Sequence, residues 1–534
     1  YRFGWVLSVF LLLQACGDRQ QIDDGGVTPP DGGIPDATVR DAGPPPELSC
    51  ALTGATLPDD WGPAEGEGRE IACFDVSNDA TVARSGEVAY SGVPIAEGVA
   101  LLGTDRLLVV GAENRRVPAQ FQVLARWGGP IADASRPIRW LGVSIPVSIA
   151  AGGTHGYSLV EMESAPTAGS GPGDIVVTED GENVVINTGA SRVTLAPSRA
   201  GLLESVELLA DGADASTIYQ AMDGDGAGPR LVLDTDGAST VIDTSATSSG
   251  DVTPDEGAGL TVIESGPVRV VVTQSGHFVG TSGVTNCDAG PEPYEALGYT
   301  VVLTFSRGSS HVDLEFHLRN ECSNLSFGPW TDQATRVASA SFDLPLQLGA
   351  DRTAFYGGSE AISSVTNPTG EVAVEQRAGA YAGAEWSRRA QVSVSGEPRE
   401  AGEEVTRPFL AVSDGTNGAY GHIPWMRYRE PQSIAVDGTR ISLRFISESV
   451  IVGEARGIWN SARLGFVRAP DMAGLEEARG AAIAALERGL LVRPTRETLN
   501  AAAIFPTIGD DGPSALRAQY LELLTSRHEA TINE

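Results

Sequence analysis

A β-hairpin pattern runs through three adjoining segments: Tyr299-Thr-Val-Val-Leu-Thr-Phe305, the turn Ser306-Arg-Gly-Ser-Ser310 and His311-Val-Asp-Leu-Glu-Phe-His-Leu-Arg319. In the two flanking segments apolar residues alternate with polar ones, and successive side chains of a strand point to opposite faces. The pattern therefore predicts antiparallel strands with one buried face.

Similar strand-like runs recur along most of the chain, including residues 117–125, 138–145 and 267–273. Gly, Asp and Ser turns separate them. Many strands in succession predict a mainly β protein built from barrel or sandwich domains.

The charge balance excludes several classes of function. The formal net charge is −33, and all 37 basic residues are arginine. An acidic chain is a poor match for the phosphates of nucleic acid, so we expect no nucleic-acid partner. Without lysine there is neither a Schiff-base lysine nor a phosphate-loop lysine. Arginine must supply the fixed positive charge, and its planar group suits carboxylates.

The N-terminus predicts an exported, lipid-anchored protein. Residues 1–16 are predicted to be a lipoprotein signal peptide, in which the short apolar run Trp5–Ala15 is followed by Cys16. The last four residues, Leu13-Gln-Ala-Cys16, resemble a bacterial lipobox with Cys16 as the lipidated residue. The alternative is a secretory signal with an incidental cysteine. Residues 17–49 are rich in Asp, Gly and Pro and predict a disordered linker. Because Gly17 follows the cysteine instead of aspartate, we expect attachment to the cell envelope at the outer membrane.

Four further cysteines are expected to form disulfides in an exported chain. They are Cys50, Cys73, Cys287 and Cys322, and no CxxC spacing suggests a zinc site. Four cysteines allow three pairings, and we favour Cys50–Cys73 and Cys287–Cys322 because each pair is local. Four free buried thiols remain the alternative.

Helical periodicity occurs only near the C-terminus. Apolar residues at helical spacing predict helices over Met472–Leu491 and Ser514–His528. Residues 471–534 are therefore expected to begin an α-helical domain that continues beyond the end of this sequence.

A series of motifs resembles the exo-rhamnogalacturonan lyase and YetA-like family. The motifs, in chain order, are Val93-Pro-Ile-Ala-Glu-Gly98, Leu124-Ala-Arg-Trp127, Ile138-Arg-Trp140, Glu264-Ser-Gly-Pro-Val-Arg269 and Gly453-Glu-Ala-Arg456. The resemblance implies an N-terminal RIFT-type barrel over residues 50–165 and a central antiparallel β-sandwich over residues 166–470. It also implies that residues 471–534 begin a truncated α/α toroid, and that the substrate is an acidic polysaccharide.

The best candidate chemistry lies in Gly421-His-Ile-Pro-Trp-Met-Arg-Tyr-Arg429. A lyase acting on a uronic acid polymer needs one group to neutralise the sugar carboxylate and another to remove the C5 proton. His422, Arg427 and Tyr428 are the candidate catalytic residues. Trp425 and Arg429 are the candidate substrate-binding residues. The alternative is that the histidine and tyrosine are packed strand residues and the arginines are solvated.

No cofactor or metal site is expected. His311 and His317 share a strand face, but roughly 20 Å of strand separates them, which is too far to share a metal. Residues 223–234 are similar to a calcium loop, although Ala227 replaces an expected ligand, and we prefer an acidic turn. Two functional hypotheses remain: a lyase-like enzyme, and a non-catalytic surface protein that binds glycan or a protein partner.

Overall fold

The computed structural model describes residues 48–54, 61–64, 66–166, 173–181, 183–196, 202–210, 213–221, 227–235, 238–243, 260–278, 297–320, 335–382, 385–429, 431–452 and 457–503. Several predictions lie outside these ranges: the signal and linker with Cys16, the residues Cys287 and Cys322, residues 223–226 of the calcium-like loop, the motif 453–456 and the helix Ser514–His528.

The described residues are mainly β, as the alternation predicts. The strands are β1 Gly68–Ser77, β2 Arg84–Pro94, β3 Leu107–Val110, β4 Arg116–Val117, β5 Gln120–Arg126, β6 Ile138–Ile149, β7 Thr154–Met162, β8 Val176–Asp180, β9 Asn183–Asn187, β10 Ser191–Leu195, β11 Leu203–Ala210, β12 Ala213–Gln220, β13 Gly228–Thr235, β14 Ala238–Asp243, β15 Thr261–Glu264, β16 Arg269–His277, β17 Leu297–Ser306, β18 His311–Asn320, β19 Thr335–Pro345, β20 Thr353–Gly357, β21 Ser363–Thr366, β22 Val372–Ala382, β23 Glu385–Val394, β24 Glu397–Gly402, β25 Phe409–Ser413, β26 Asn417–His422, β27 Gln432–Asp437, β28 Arg440–Ile446, β29 Val450–Val452, β30 Gly457–Arg468 and β31 Val492–Pro494. The α-helices are α1 Met472–Glu487 and α2 Arg496–Ala502, and the short 3₁₀ helices are Glu97–Val99, Ala112–Asn114 and Met426–Tyr428.

Two small sheets enclose the core of the N-terminal part. Their strand orders are β31-β1-β7-β3-β4 and β2-β6-β5. The inward residues of both sheets form one hydrophobic cluster that includes Phe74, Val143 and Leu159. The N-terminal part is thus a two-sheet β structure, and its RIFT-type topology stays a prediction.

The central part is an antiparallel β-sandwich, as predicted. One nine-stranded sheet contains β14-β13-β19-β28-β27-β22-β23-β24, with β29 joined to β19, and the other has the order β15-β16-β17-β18-β30-β26-β25-β20-β21. A third sheet, β12-β11-β10-β9-β8, shares the same hydrophobic core. The predicted hairpin is β17–β18, with Phe305 opposite Val312.

Helix α1 packs on the outer face of the second nine-stranded sheet. Its N-cap, Asp471, accepts a hydrogen bond from the Gly474 amide at 2.7 Å. Leu475 and Ala482 join a small cluster with Phe409 and Tyr420 of that sheet. The helix ends at Glu487, four residues earlier than predicted, because Arg488 leaves the helical conformation with φ −143°.

The chain returns to the N-terminal sheets after α1. Strand β31 pairs antiparallel with β1, placing Val492 opposite Val76. Leu490 and Val492 belong to the N-terminal core. The described part of residues 471–534 therefore includes an edge strand of the first domain as well as helices. Among the described residues, no helix combines the length and apolar character needed to cross a bilayer.

The predicted Cys50–Cys73 disulfide is present, with 5.3 Å between its Cα atoms and 23 residues between the two positions. It fastens the segment that contains Cys50 to β1. On the other side of β1, the Cys73 amide donates to the Thr498 hydroxyl at 2.7 Å.

We expect the Cys50→Ser/Cys73→Ser double variant to unfold more easily, because opening a loop of this length removes about 3 kcal/mol in chain-entropy models. Denaturant unfolding of the oxidised parent and the variant measures the difference. The reduced parent is the matched control and should behave like the variant. Equal midpoints for oxidised parent and variant would contradict this expectation.

Candidate functional site

Strand β18 has a titratable side chain at every second position. The five residues are His311, Asp313, Glu315, His317 and Arg319. The intervening residues are buried in the sandwich core. Since alternate side chains share a face, the five polar residues lie together on the outer face of a strand in the middle of its sheet.

An ion pair between a buried arginine and a partly buried aspartate joins this face to the next strand. Arg463 of β30 donates to both carboxylate oxygens of Asp313, at 2.6 and 2.9 Å. Burial alone would raise the pKa of Asp313, but the charge and hydrogen bonds of Arg463 hold it below its usual value. Both groups are therefore charged, and each binds the other through two hydrogen bonds, as in a structural ion pair.

His422 lies in the same interior region and not at the surface. Its side chain is fully buried, and its Nδ1 lies 2.6 Å from the Pro408 carbonyl oxygen, which accepts the hydrogen bond. Burial lowers the pKa of His422 to about 4. The structure therefore does not bring the predicted catalytic His422 together with Arg427 and Tyr428 on an open surface.

The other four predicted site residues do come together. Arg427 lies over the ring of Tyr428 at 4.7 Å, and the rings of Trp425 and Tyr428 are 6.2 Å apart. Arg429 lies over the ring of Trp459 at 5.7 Å and donates to the Trp459 carbonyl at 3.1 Å. We call these five residues the arginine–aromatic corner.

Local backbone structure fixes the corner. Trp425 has φ +61° and leads the chain into the 3₁₀ helix. In that helix the backbone amide of Tyr428 donates to the Trp425 carbonyl at 2.8 Å. Met426 is fully buried in the sandwich core and anchors this turn. The Glu487 carboxylate at the end of α1 accepts a hydrogen bond from the Trp425 amide. A positive φ at a large residue, held by these contacts, is a feature of functional sites.

Partial exposure leaves the corner accessible. Tyr428 is 48% exposed, which makes it one of the most exposed large apolar side chains among the described residues. Arg427 is 4.0 Å from Glu404, at the limit of an ion pair. Both guanidinium groups keep hydrogen-bond donors beyond these contacts, since each carries five.

The sequence reasoning did not connect Trp459 of the corner, or its neighbours His317 and Glu315, with this site. The ring of His317 lies 5.8 Å from that of Trp459, and its Nε2 is 3.6 Å from Glu315. Trp459 was missed because it is distant in sequence and joins Arg429 only in the folded sheet. The alternating titratable residues of β18 were a signal that could have found His317 and Glu315.

No group of three or more potential metal ligands occurs in the part of the chain that the structure describes. The corner instead offers cations and aromatic faces. Its chemistry suits a ligand that combines a carboxylate with flat, partly apolar surfaces.

No protein-family model and no curated protein matches this sequence. Among solved structures, the chain is similar to an α-mannosidase from Enterococcus faecalis V583, with 12% identity and a TM-score of 0.44 over 79% of this chain and 46% of that one. It thus spans about half the length of that mannosidase.

Two further solved structures show weaker similarity. A galactose mutarotase-like protein from Lactobacillus casei ATCC 334 has 8% identity and a TM-score of 0.27, over 55% of this chain and 100% of that one. A GH36 α-galactosidase from Geobacillus stearothermophilus has 11% identity and a TM-score of 0.27, over 55% and 41%. All of these TM-scores lie below 0.5, and the family resemblance seen in the sequence stays a prediction.

We expect acid to destabilise the protein partly through His422. The ordinary pKa of histidine is 6.5, and that of His422 in the folded protein is about 4. Between these two pH values His422 binds a proton in the unfolded chain but not in the folded protein. The free energy of unfolding is therefore unaffected by His422 above this pH range. It falls by on the order of 3 kcal/mol as the pH drops through the range. Denaturant unfolding of the parent and His422→Gln across this range measures the slope.

The slope should be shallower in His422→Gln. Tyr420→Phe is the matched control, since Tyr420 lies on the same strand and its pKa is raised by burial, away from that pH range. It should keep the parent slope. Parallel slopes for the parent and His422→Gln would refute the assignment.

Proposed function

We propose that this protein binds acidic glycans at the arginine–aromatic corner. The observation that carries the proposal is the pair of guanidinium groups held over aromatic rings, Arg427 over Tyr428 and Arg429 over Trp459. Each pair combines a cation for a sugar carboxylate with an aromatic platform for a sugar ring.

Stacking prepares an arginine for a carboxylate. A guanidinium lying over a ring keeps its N–H groups in its own plane, and a carboxylate can accept two of them side by side. Because the rings restrict both side chains before binding, less conformational entropy is lost when a ligand arrives.

Two successive arginine–aromatic pairs favour an oligosaccharide over a single sugar. Arg427 and Arg429 use different rings, so each would hold its own acidic residue of a chain. Polyuronates, which carry a carboxylate on successive residues, match this repeated arrangement.

We expect Arg427→Ala and Arg429→Ala each to weaken binding of an oligogalacturonate by about 10- to 100-fold, the usual cost of losing one charged hydrogen-bonded contact. Isothermal titration measures the affinity. The methyl-esterified oligosaccharide lacks the carboxylates and should bind the parent weakly. Arg399→Ala is the matched control, because Arg399 is exposed and no ion pair is recorded for it within the described ranges. Unchanged affinity in both corner variants would refute the proposal.

A second measurement, on the parent and on Tyr428→Phe, distinguishes binding from catalysis. In β-elimination, Arg427 would neutralise the uronate carboxylate, and Tyr428, acting as its phenolate, would take the C5 proton. The C4–O bond would break, a C4–C5 double bond would form, and the leaving oxygen would take the proton from the Tyr428 hydroxyl, which regenerates the phenolate. Ultraviolet absorbance of unsaturated uronate detects this product. Product formed by the parent and lost in Tyr428→Phe supports a lyase, whereas binding without product supports a non-catalytic glycan-binding protein.

We further propose that the protein is anchored to the cell envelope through a lipid on Cys16. This rests on the sequence Leu13–Cys16 and on the Asp/Gly/Pro-rich residues after it. In a bacterial host we expect the parent to enter the detergent phase and Cys16→Ser to move to the aqueous phase. Ser8→Ala, a change inside the apolar run, is the control. Identical partitioning of the parent and Cys16→Ser would contradict lipidation.

A further inference from the structure

A cleft of about 480 Å3 lies at the end of the sandwich, away from the residues of the arginine–aromatic corner. It is bordered by the end of β12, the chain after β19, the chain before β20 and the β27–β28 turn. The polar side chains of its lining are Gln220, Gln347, Arg352, Asp437, Thr439 and Arg440. Its volume falls within the range of about 300–1,000 Å3 that is usual for small-molecule sites.

Backbone hydrogen bonds hold the walls of the cleft. The Gln347 amide donates to the Ile218 carbonyl at 2.8 Å, and the Leu346 amide donates to the Thr439 carbonyl at 2.9 Å. These bonds join three separate chain segments. The cleft is therefore formed before any ligand arrives, which reduces the free-energy cost of binding.

Arg352 provides the available cation in this cleft. Its amide donates to Asn367 Oδ1 at 2.8 Å, and its carbonyl accepts from the Asn367 amide at 2.6 Å, so its backbone is fixed. No hydrogen bond or ion pair of its guanidinium is recorded within the described ranges. Arg440 differs, because it lies 3.6 Å from the buried carboxylate of Asp343.

Asp437 narrows the class of ligand. Its exposed carboxylate belongs to the same lining and would repel a bare anion. A sugar hydroxyl, in contrast, would donate a hydrogen bond to it. Gln220 and Gln347 add side-chain amides, whose Nε2 atoms also donate to the Glu204 and Gln220 carbonyls, each at 3.4 Å. The combination favours a ligand that carries one carboxylate and several hydroxyl groups.

We propose that the cleft is a second binding site, which takes a single uronic acid residue. Arg352 binds the sugar carboxylate, and Asp437 accepts hydrogen bonds from its hydroxyl groups. The choice of a uronic acid rests on the proposed acidic-glycan function, whereas the site itself rests on the cleft and its charges.

The test uses the full chain and three probes: galacturonic acid, galactose and acetate. Titration should show that galacturonic acid binds the parent at least tenfold more tightly than galactose, which lacks the carboxylate. Arg352→Ala should lose at least tenfold in affinity for galacturonic acid. Asp437→Ala should bind galacturonic acid more weakly and acetate more tightly. Unfolding midpoints of the variants confirm that they are folded, and Arg352→Glu provides a second substitution.

The double variant Arg427→Ala/Arg429→Ala separates the two sites. It should keep galacturonic acid binding, because none of its substitutions touches the cleft. If the parent binds oligogalacturonate but Arg352→Ala and the parent bind galacturonic acid equally, the cleft proposal is overturned and the corner proposal stands. If the double variant loses galacturonic acid binding while Arg352→Ala keeps it, the sugar occupies the corner and the cleft proposal is likewise overturned.

Discussion

The ion pair between Arg463 and Asp313 joins two neighbouring strands of the central sandwich at the point where the N-terminal part contacts them. The Arg463 side chain is 4% exposed, yet it is charged, since Asp313 raises its pKa against the effect of burial. Removing one partner from such a pair leaves a buried charge, at a cost of about 3–5 kcal/mol. The pair lies on the sheet face that the N-terminal part approaches, where Glu87 of β2 interacts electrostatically with both partners. The contact between the N-terminal part and the central sandwich is therefore built around a charge that must stay paired.

Helix α1 connects this junction to the arginine–aromatic corner. Arg84 of β2 donates to the Ala484 carbonyl at 2.7 Å, which also accepts from the Arg488 amide, and to the Arg488 carbonyl at 2.9 Å. Glu487, between those two residues, holds the Trp425 amide. The N-terminal domain thus fixes the end of the helix, and the helix end fixes the turn that carries the corner. Segments some 400 residues apart in sequence determine one site.

Local patterns predicted local structure well. The hairpin β17–β18, the start of α1 and the Cys50–Cys73 disulfide all follow from residues that are close in sequence. The structure places His422 in a different environment from Arg427 for a physical reason. His422 ends a buried strand, and Trp425 then reverses the chain, so side chains five positions apart point into different environments.

Alternation on β18 showed which side chains face outward, but it did not show that another layer covers part of that face. The return of β31 to the N-terminal domain carries no local signal, because edge-strand pairing depends on tertiary contacts.

Because the chain has no lysine, arginine supplies both its structural ion pairs and its proposed ligand-binding groups. The degree of burial distinguishes these two roles. Arg463 is enclosed and committed to one carboxylate, whereas Arg427 and Arg429 lie over rings and keep donors free. A chain with a net charge of −33 repels polyanions at long range. At physiological ionic strength that repulsion decays over about 8 Å, so groups in direct contact dominate once a ligand has arrived. The proposed recognition of an acidic glycan would therefore depend on short-range geometry, in which planar guanidinium groups and aromatic faces are matched to individual sugars.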